Sequence, residues 1–144
     1  LSWITILQRR EGYREAFANF EVEQVAKFGL DKIEELMLNP AIIRNRLKIN
    51  AAVHNAKLFI AIQQEFGSFD KYIWDFTDRQ VVNNCWQELS EAPATSELSD
   101  KVAADLKKRG FKFVGSTTIY AHLQAIGVIN DHLMSCWCKI EGDL

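Results

Sequence analysis

The chain has 144 residues, 48% of them apolar and 25% charged, the balance of an ordinary globular protein and not of a disordered one. A chain of this length holds one domain, buries roughly 70% of its unfolded surface and needs no disulfides to keep a core. Its longest uninterrupted apolar run, Leu58 to Ile62, is five residues, which excludes a membrane-spanning helix.

The net charge of −2 taken whole gives no hint of nucleic acid, but its distribution does. No acidic residue lies between Glu35 and Glu65, a window holding Arg44, Arg46, Lys48 and Lys57. None lies between Asp105 and Asp131, which enclose Lys107, Lys108, Arg109 and Lys112. The two windows carry +8 and the remainder −10. Such polarisation suits a polyanion binder, although helices also segregate charge for solubility alone. Three cysteines, Cys85, Cys136 and Cys138, make no disulfide framework and are expected to be reduced, as in the cytoplasm.

In chain order the pattern is helical nearly throughout. Residues 3 to 18 set Ile4, Leu7, Ala16 and Phe17 among charged residues, an amphipathic helix with an expected break near Gly12. The chain opens inside this apolar stretch, without a Met, so residues upstream of Leu1 are expected. Asp31 is the expected cap of a helix over 32–38, which Asn39-Pro40 ends because the residue before proline avoids the α region. From Leu47, the set Ile49, Ala52, Val53, Ala56, Phe59 and Ile60 recurs at helical spacing for about five turns, to a stop near Gly67. An aromatic-rich segment over 69–76 follows, and the polar stretch 90–96 with Pro93 reads as a loop.

Ser96 or Ser99 starts a helix through Val102, Ala103 and Leu106 that stops at Gly110. After a four-residue connection, Gly115-Ser116-Thr117-Thr118 opens another helix, closed by Gly127, and 129–138 reads as a final short helix. No βαβ alternation and no internal repeat is visible, so the fold class is all-α, in a single domain over 1–144.

Three features bear on chemistry. The first is the hairpin from Leu106 to Thr118. Gly115 lacks a side chain, so a phosphate can approach the unpaired N–H groups of the new helix's first turn at the positive end of its dipole. Lys107, Lys108, Arg109 and Lys112 add formal charge close by, and Ser116 and Thr117 add hydroxyls. The arrangement is either a helix-hairpin-helix anchor for a nucleic-acid backbone or an ordinary αα-hairpin with a glycine turn. The second feature is Asn130-Asp131-His132 with Cys136. Four apart in a helix, His132 and Cys136 share a face and supply half of a tetrahedral Zn²⁺ site, or they pair by coincidence. In Cys136-Trp137-Cys138, one thiol reads as a possible ligand and the other as packed or exposed. The third is Trp3, either a core residue or an indole that stacks on a base. His54 and His122 carry no assigned chemistry.

At Leu1-Ser-Trp-Ile-Thr5, Ile42-Ile-Arg-Asn-Arg46 with Lys48-Ile49, Lys107 to Gly115, and Asn130-Asp-His132 with Cys136, the chain resembles the DNA-3-methyladenine glycosylase I family. The likeness runs through almost the whole length. The resemblance implies an all-α helix-hairpin-helix glycosylase that removes 3-methyladenine from alkylated duplex DNA after flipping the nucleotide out. The alternative is a non-catalytic helix-hairpin-helix module that binds DNA backbone. Trp3 matches the tryptophan that stacks on the flipped base, and Leu1 matches the end of the loop that wedges into the duplex. Lys107, Lys108, Arg109, Gly110, Lys112, Gly115, Ser116 and Thr117 match the DNA-gripping hairpin.

His132 and Cys136 match two of four ligands of a structural Zn²⁺. The other two ligands and the glutamate that hydrogen-bonds the methylated base fall upstream of Leu1 in the family. The 144-residue chain alone is therefore expected to bind zinc poorly and to lack part of its pocket. A monofunctional enzyme is expected, since no lysine matches the Schiff-base nucleophile of strand-nicking relatives, and so is a cytoplasmic monomer. Asp131 is expected to orient His132 from behind.

Overall fold

The computed structural model describes residues 2–141. The chain divides into two compact units, Leu1–Glu65 with Gly110–Phe113, and Phe66–Arg109 with Val114–Leu144.

The first unit is built from α1 (Trp3–Leu7), α2 (Arg10–Ala16), α3 (Val22–Val25), α4 (Leu30–Leu38) and the long α5 (Arg46–Phe66), whose last residue falls in the second unit. The expected amphipathic helix over 3–18 is broken at Gln8 and Arg9, before α2, and not at Gly12. Gly12 lies inside α2, where the Ala41 carbonyl oxygen passes 2.5 Å from the place a Cβ would take. Only a glycine permits that approach. Around it, Ala16, Phe17, Val25, Ile33, Leu36, Ile42, Ile49, Val53 and Ala56 close one core, to which Tyr13 adds a hydroxyl that accepts from the Ile43 N–H at 3.1 Å. α4 starts two residues earlier than expected, with Gly29 as N-cap and Asp31 in the first turn without a capping bond. The expected stop at Asn39-Pro40 is where the helix ends.

The second unit holds α6 (Phe69–Asp75), α7 (Glu97–Lys108), α8 (Ser116–Ala125) and α9 (Trp137–Glu141). Ser68 caps α6, accepting from Lys71 N–H. Ser96 and Ser99 form a reciprocal capping box at the start of α7, so both expected start residues take part. Val102, Ala103, Leu106, Ile119, Tyr120 and Leu123 are buried between α7 and α8 and their surroundings. The sequence missed a small parallel pairing of β1 (Val82–Asn83) with β2 (Ile129–Asn130). Two residues are too few to show a period, which is why 129–138 read as helix. Its first two residues are strand, 131–136 are non-helical with a turn at 134–135, and the helix begins only at Trp137. Among the described residues no helix is long and apolar enough to cross a membrane.

Candidate nucleic-acid interface and metal centre

The hairpin is built as its spacing implies. α7 ends with Arg109 as C-cap, and Gly110 follows at φ +98°, the left-handed conformation in which a glycine most readily terminates a helix. Gly115, extended at φ −66° and ψ 157°, is the N-cap of α8 and supplies no side-chain cap. Apart from its chain neighbours, no atom lies within 4 Å of the position a Cβ would occupy there, so that side of Gly115 is open. Lys107, Lys108, Lys112 and Thr117 are exposed.

Two of the expected DNA-backbone residues have other engagements. The Ser116 hydroxyl shares a hydrogen bond with the wholly buried Ser99 hydroxyl at 2.8 Å, which joins the start of α8 to α7. The Arg109 guanidinium donates to Asp105 at 2.7 Å and lies over the rings of Phe66 and Tyr72 at 5.1 and 5.2 Å. Burial raises the Asp105 carboxyl, but hydrogen bonds from Arg109 and Tyr72 outweigh it and hold the group below the usual carboxylate range.

Sequence reasoning overlooked the residues that hold the hairpin loop. On α5, His54 Nε2 donates to the Gly110 carbonyl at 2.9 Å. The Asn55 amide pairs reciprocally with Lys112, donating to its carbonyl and accepting from its N–H, both at 2.9 Å. Both lie on a helix whose apolar periodicity was the only signal, and nothing local marks a side chain whose partner is over fifty residues away. Beside this loop the Lys48 ammonium sits 5.9 Å from the ring of Phe113, an exposed aromatic at φ +58°. Arg46, from the same basic window, is instead paired with Glu34 through two hydrogen bonds.

Trp3 opens α1, which Ser2 caps by accepting from Thr5 N–H at 3.3 Å. The indole is 84% exposed, so the core reading of this residue is excluded. Leu1 lies outside the described residues.

His132 and Cys136 meet across the non-helical segment 131–136, without the shared helix face that their spacing suggested. His132 Nδ1 and Cys136 Sγ are 3.7 Å apart. Bonds of roughly 2.0 Å to nitrogen and 2.3 Å to sulfur at a tetrahedral angle place such atoms about 3.5 Å apart, so the pair fits Zn²⁺. Cys138 joins them: its sulfur, that of Cys136 and a ring nitrogen of His132 all lie within 4.8 Å of one another.

The expected link from Asp131 to His132 is replaced by another arrangement. Oδ1 accepts from Asn84 at 2.7 Å and from the Trp86 indole at 2.8 Å. Oδ2 accepts from the Tyr120 hydroxyl and from Gln124, the latter at 2.8 Å. A carboxylate has about four lone-pair positions, and four donors fill them, which leaves none for an imidazole. Burial raises the Asp131 carboxyl, yet these four bonds more than offset it and keep the group ionised below the ordinary range.

A mainly helical chain with a helix-hairpin-helix, an outward indole and a cluster of His132, Cys136 and Cys138 defines the class. The family model for methyladenine glycosylases matches residues 1–139, and the chain belongs to that family. It is 42% identical over 139 residues to a DNA-3-methyladenine glycosylase of Haemophilus influenzae, a match covering 96% of this chain and 75% of the relative. To DNA-3-methyladenine glycosylase 1 of Escherichia coli it is 41% identical over 138 residues, covering 96% and 74%. A crystal structure of a 3-methyladenine DNA glycosylase I variant in complex with 3-methyladenine superposes with a TM-score of 0.92 at 36% identity, covering 96% of this chain and 75% of that one.

Proposed function

We infer that this chain is a base-excision repair glycosylase that hydrolyses the N-glycosidic bond of 3-methyladenine flipped out of alkylated duplex DNA. The observation that carries the reading is the match to methyladenine glycosylases over residues 1–139, joined to a relative solved with the free base bound.

The chain's own residues supply binding and positioning. The open amide-rich start of α8 at Gly115 receives a phosphate without reading sequence, and the exposed Lys107, Lys108, Lys112 and Thr117 lie close to it in the chain. Gly110 and Lys112 hold the loop through His54 and Asn55 and so preset the turn before DNA arrives. The exposed Trp3 indole stacks on the everted base, an interaction worth roughly 1–3 kcal/mol. A 3-methylated adenine already carries positive charge, so it leaves without a strong general acid. The saturated Asp131 is a positioning residue of the fold and not the base that activates water. No lysine is assigned as a nucleophile, so the enzyme hydrolyses the bond without nicking the strand. His132 and Cys136 are the residues that would hold a structural Zn²⁺, which would cross-link the chain around them and take no part in bond cleavage. Reduced thiols at that site and a DNA substrate suit a cytoplasmic monomer.

The test is release of free 3-methyladenine from methylated duplex DNA, by the 144-residue chain alone and with a relative's N-terminal segment joined ahead of Leu1. Release from either form, reduced by Trp3→Ala, supports the reading. Folded protein that binds duplex DNA in both forms without releasing base, and without preference for methylated sites, would establish the non-catalytic module instead.

A further inference from the structure

We propose that Phe113 and Lys48 make a second contact with the DNA strand held at the hairpin, the Phe113 ring packing against a deoxyribose and the Lys48 ammonium meeting the phosphate beside it. The inference rests on the DNA-glycosylase reading above and adds two residues which that reading leaves out.

The backbone singles out Phe113. Its φ of +58° lies in the left-handed region, which disfavours a bulky side chain and is readily adopted only by glycine. Strain of this kind points to a function where packing gives no reason for it. Phe20 shares the conformation at φ +59°, but its ring stacks on Phe17 of the core at 6.3 Å, so its strain serves packing. Phe113 has no ring partner among the described residues and is 59% exposed. Its neighbours set it there. Phe111 is buried, and Lys112 is tied to Asn55 through both its carbonyl and its N–H, which leaves the next side chain in solvent.

Lys48 supplies the charge. It is exposed in the first turn of α5, its N–H is held by the Asn45 side chain at 3.1 Å, and its ammonium lies 5.9 Å from the centre of the Phe113 ring. Arg46, two residues earlier, is paired with Glu34, whereas Lys48 meets no carboxylate among the described residues. The turn holds no acidic residue and sits at the positive end of the helix dipole, where a cation is unfavourable until an anion joins it. A DNA strand alternates a charged phosphate with an apolar sugar face, and a cation beside an exposed ring offers the matching pair. Neither group reads a base edge, so the contact carries no sequence preference. It continues the hairpin's grip, since Phe113 stands two residues before Gly115.

The experiment follows fluorescence anisotropy of a labelled duplex carrying one abasic-site analogue, titrated with the 144-residue chain over a series of salt concentrations. Wild type is compared with Phe113→Asn, Phe113→Gly, Phe113→Tyr, Lys48→Met and Lys48→Arg. Asparagine and glycine both accept the left-handed backbone, so these variants remove the ring and keep the turn. Each is expected to lose about tenfold in affinity with an unchanged salt slope, because no charge is lost. Phe113→Tyr keeps the ring and is expected to bind as wild type. Lys48→Met keeps the apolar stem and is expected to flatten the slope by about 0.9, one phosphate contact, which Lys48→Arg restores. Phe113→Gly is expected to melt within about 3 °C of wild type, since relief of the backbone offsets glycine's freedom in the unfolded chain.

Wild-type affinity in Phe113→Asn and Phe113→Gly, or an unchanged salt slope in Lys48→Met, would overturn the proposal and leave the grip at Gly115 standing. Affinity lost only in step with a large fall in melting temperature would assign Phe113 to the fold and overturn it equally. A wild-type chain that binds no duplex overturns the proposal and the hairpin reading together, while base release judges the glycosylase reading independently.

Discussion

Replacing Asp131 with alanine removes the acceptor of four donors at once: Asn84, Trp86, Tyr120 and Gln124. Gln124 is exposed and turns to water at little cost, but the other three bonds are partly buried. Hydrogen bonds to a charged group contribute roughly 1.5–3 kcal/mol each, and an orphaned buried donor costs roughly 1–3 kcal/mol. The relief of desolvating one carboxylate offsets part of this loss. The net expectation is a destabilisation of about 4 kcal/mol, and a fall in melting temperature of about 12 °C at roughly 3 °C per kcal/mol for a chain of this size. Asp131→Asn keeps the shape and the two acceptor positions of one oxygen, but its NH₂ group replaces the other acceptor; turned towards Tyr120, whose hydroxyl can also accept, and the exposed Gln124, it is expected to cost about 2 kcal/mol. Thermal unfolding followed by circular dichroism, with urea titration as a check on the slope, measures both. The ordering is as informative as the size, with alanine costing about twice as much as asparagine. If Asp131→Ala melted within about 2 °C of wild type, the four-donor arrangement would not be what secures β1, β2 and α8, and the carboxylate would again be a candidate for chemistry.

Four further outcomes follow from the same structure. Lys107→Glu with Lys112→Glu should weaken duplex binding, and for every phosphate left without its cation the plot of log affinity against log salt should flatten by about 0.9, as read by fluorescence anisotropy. Gly115→Ala meets no atom and needs no unusual backbone angle, so stability should stay within about 0.5 kcal/mol of wild type while DNA affinity falls because the methyl stands where the phosphate approaches. Gly12→Ala should do the reverse, costing roughly 1–3 kcal/mol in a urea melt through its collision with Ala41, even though alanine is the better helix former. The Asp105 carboxyl is depressed in the fold, so its contribution is complete above its unfolded value near 3.9 and is lost as pH falls below that. Tyr72→Phe, which removes one of its donors, should shrink this acid-side loss in melts between about pH 2.5 and 6.

Much of this was written locally. Helices declare themselves by a period of 3.6 and by their ends, so α5, the Ser96–Ser99 start of α7, the Asn39-Pro40 stop and the Gly110 and Gly115 turn could be located from neighbouring residues alone. The hairpin is legible for the same reason: its function depends on missing side chains and on amides that every helix start leaves unpaired. His132 and Cys136 were visible as a spacing, although the structure delivers them on a turn and not on a helix face.

Tertiary structure decided whatever depends on partners far apart in the chain. Trp3 is apolar enough for a core, and only the packed chain shows it facing solvent. Gly12 reads as a break because nothing nearby reveals the Ala41 carbonyl pressing on it. Asp131 reads as the partner of the histidine beside it, but its four donors come from Asn84, Trp86, Tyr120 and Gln124, two of them more than forty residues away. His54 and Asn55 gave no sign of gripping a loop over fifty residues distant. Periodicity and capping are short-range and leave a trace in the sequence, whereas a hydrogen bond or a ligand cluster between distant residues exists only after the chain has closed on itself.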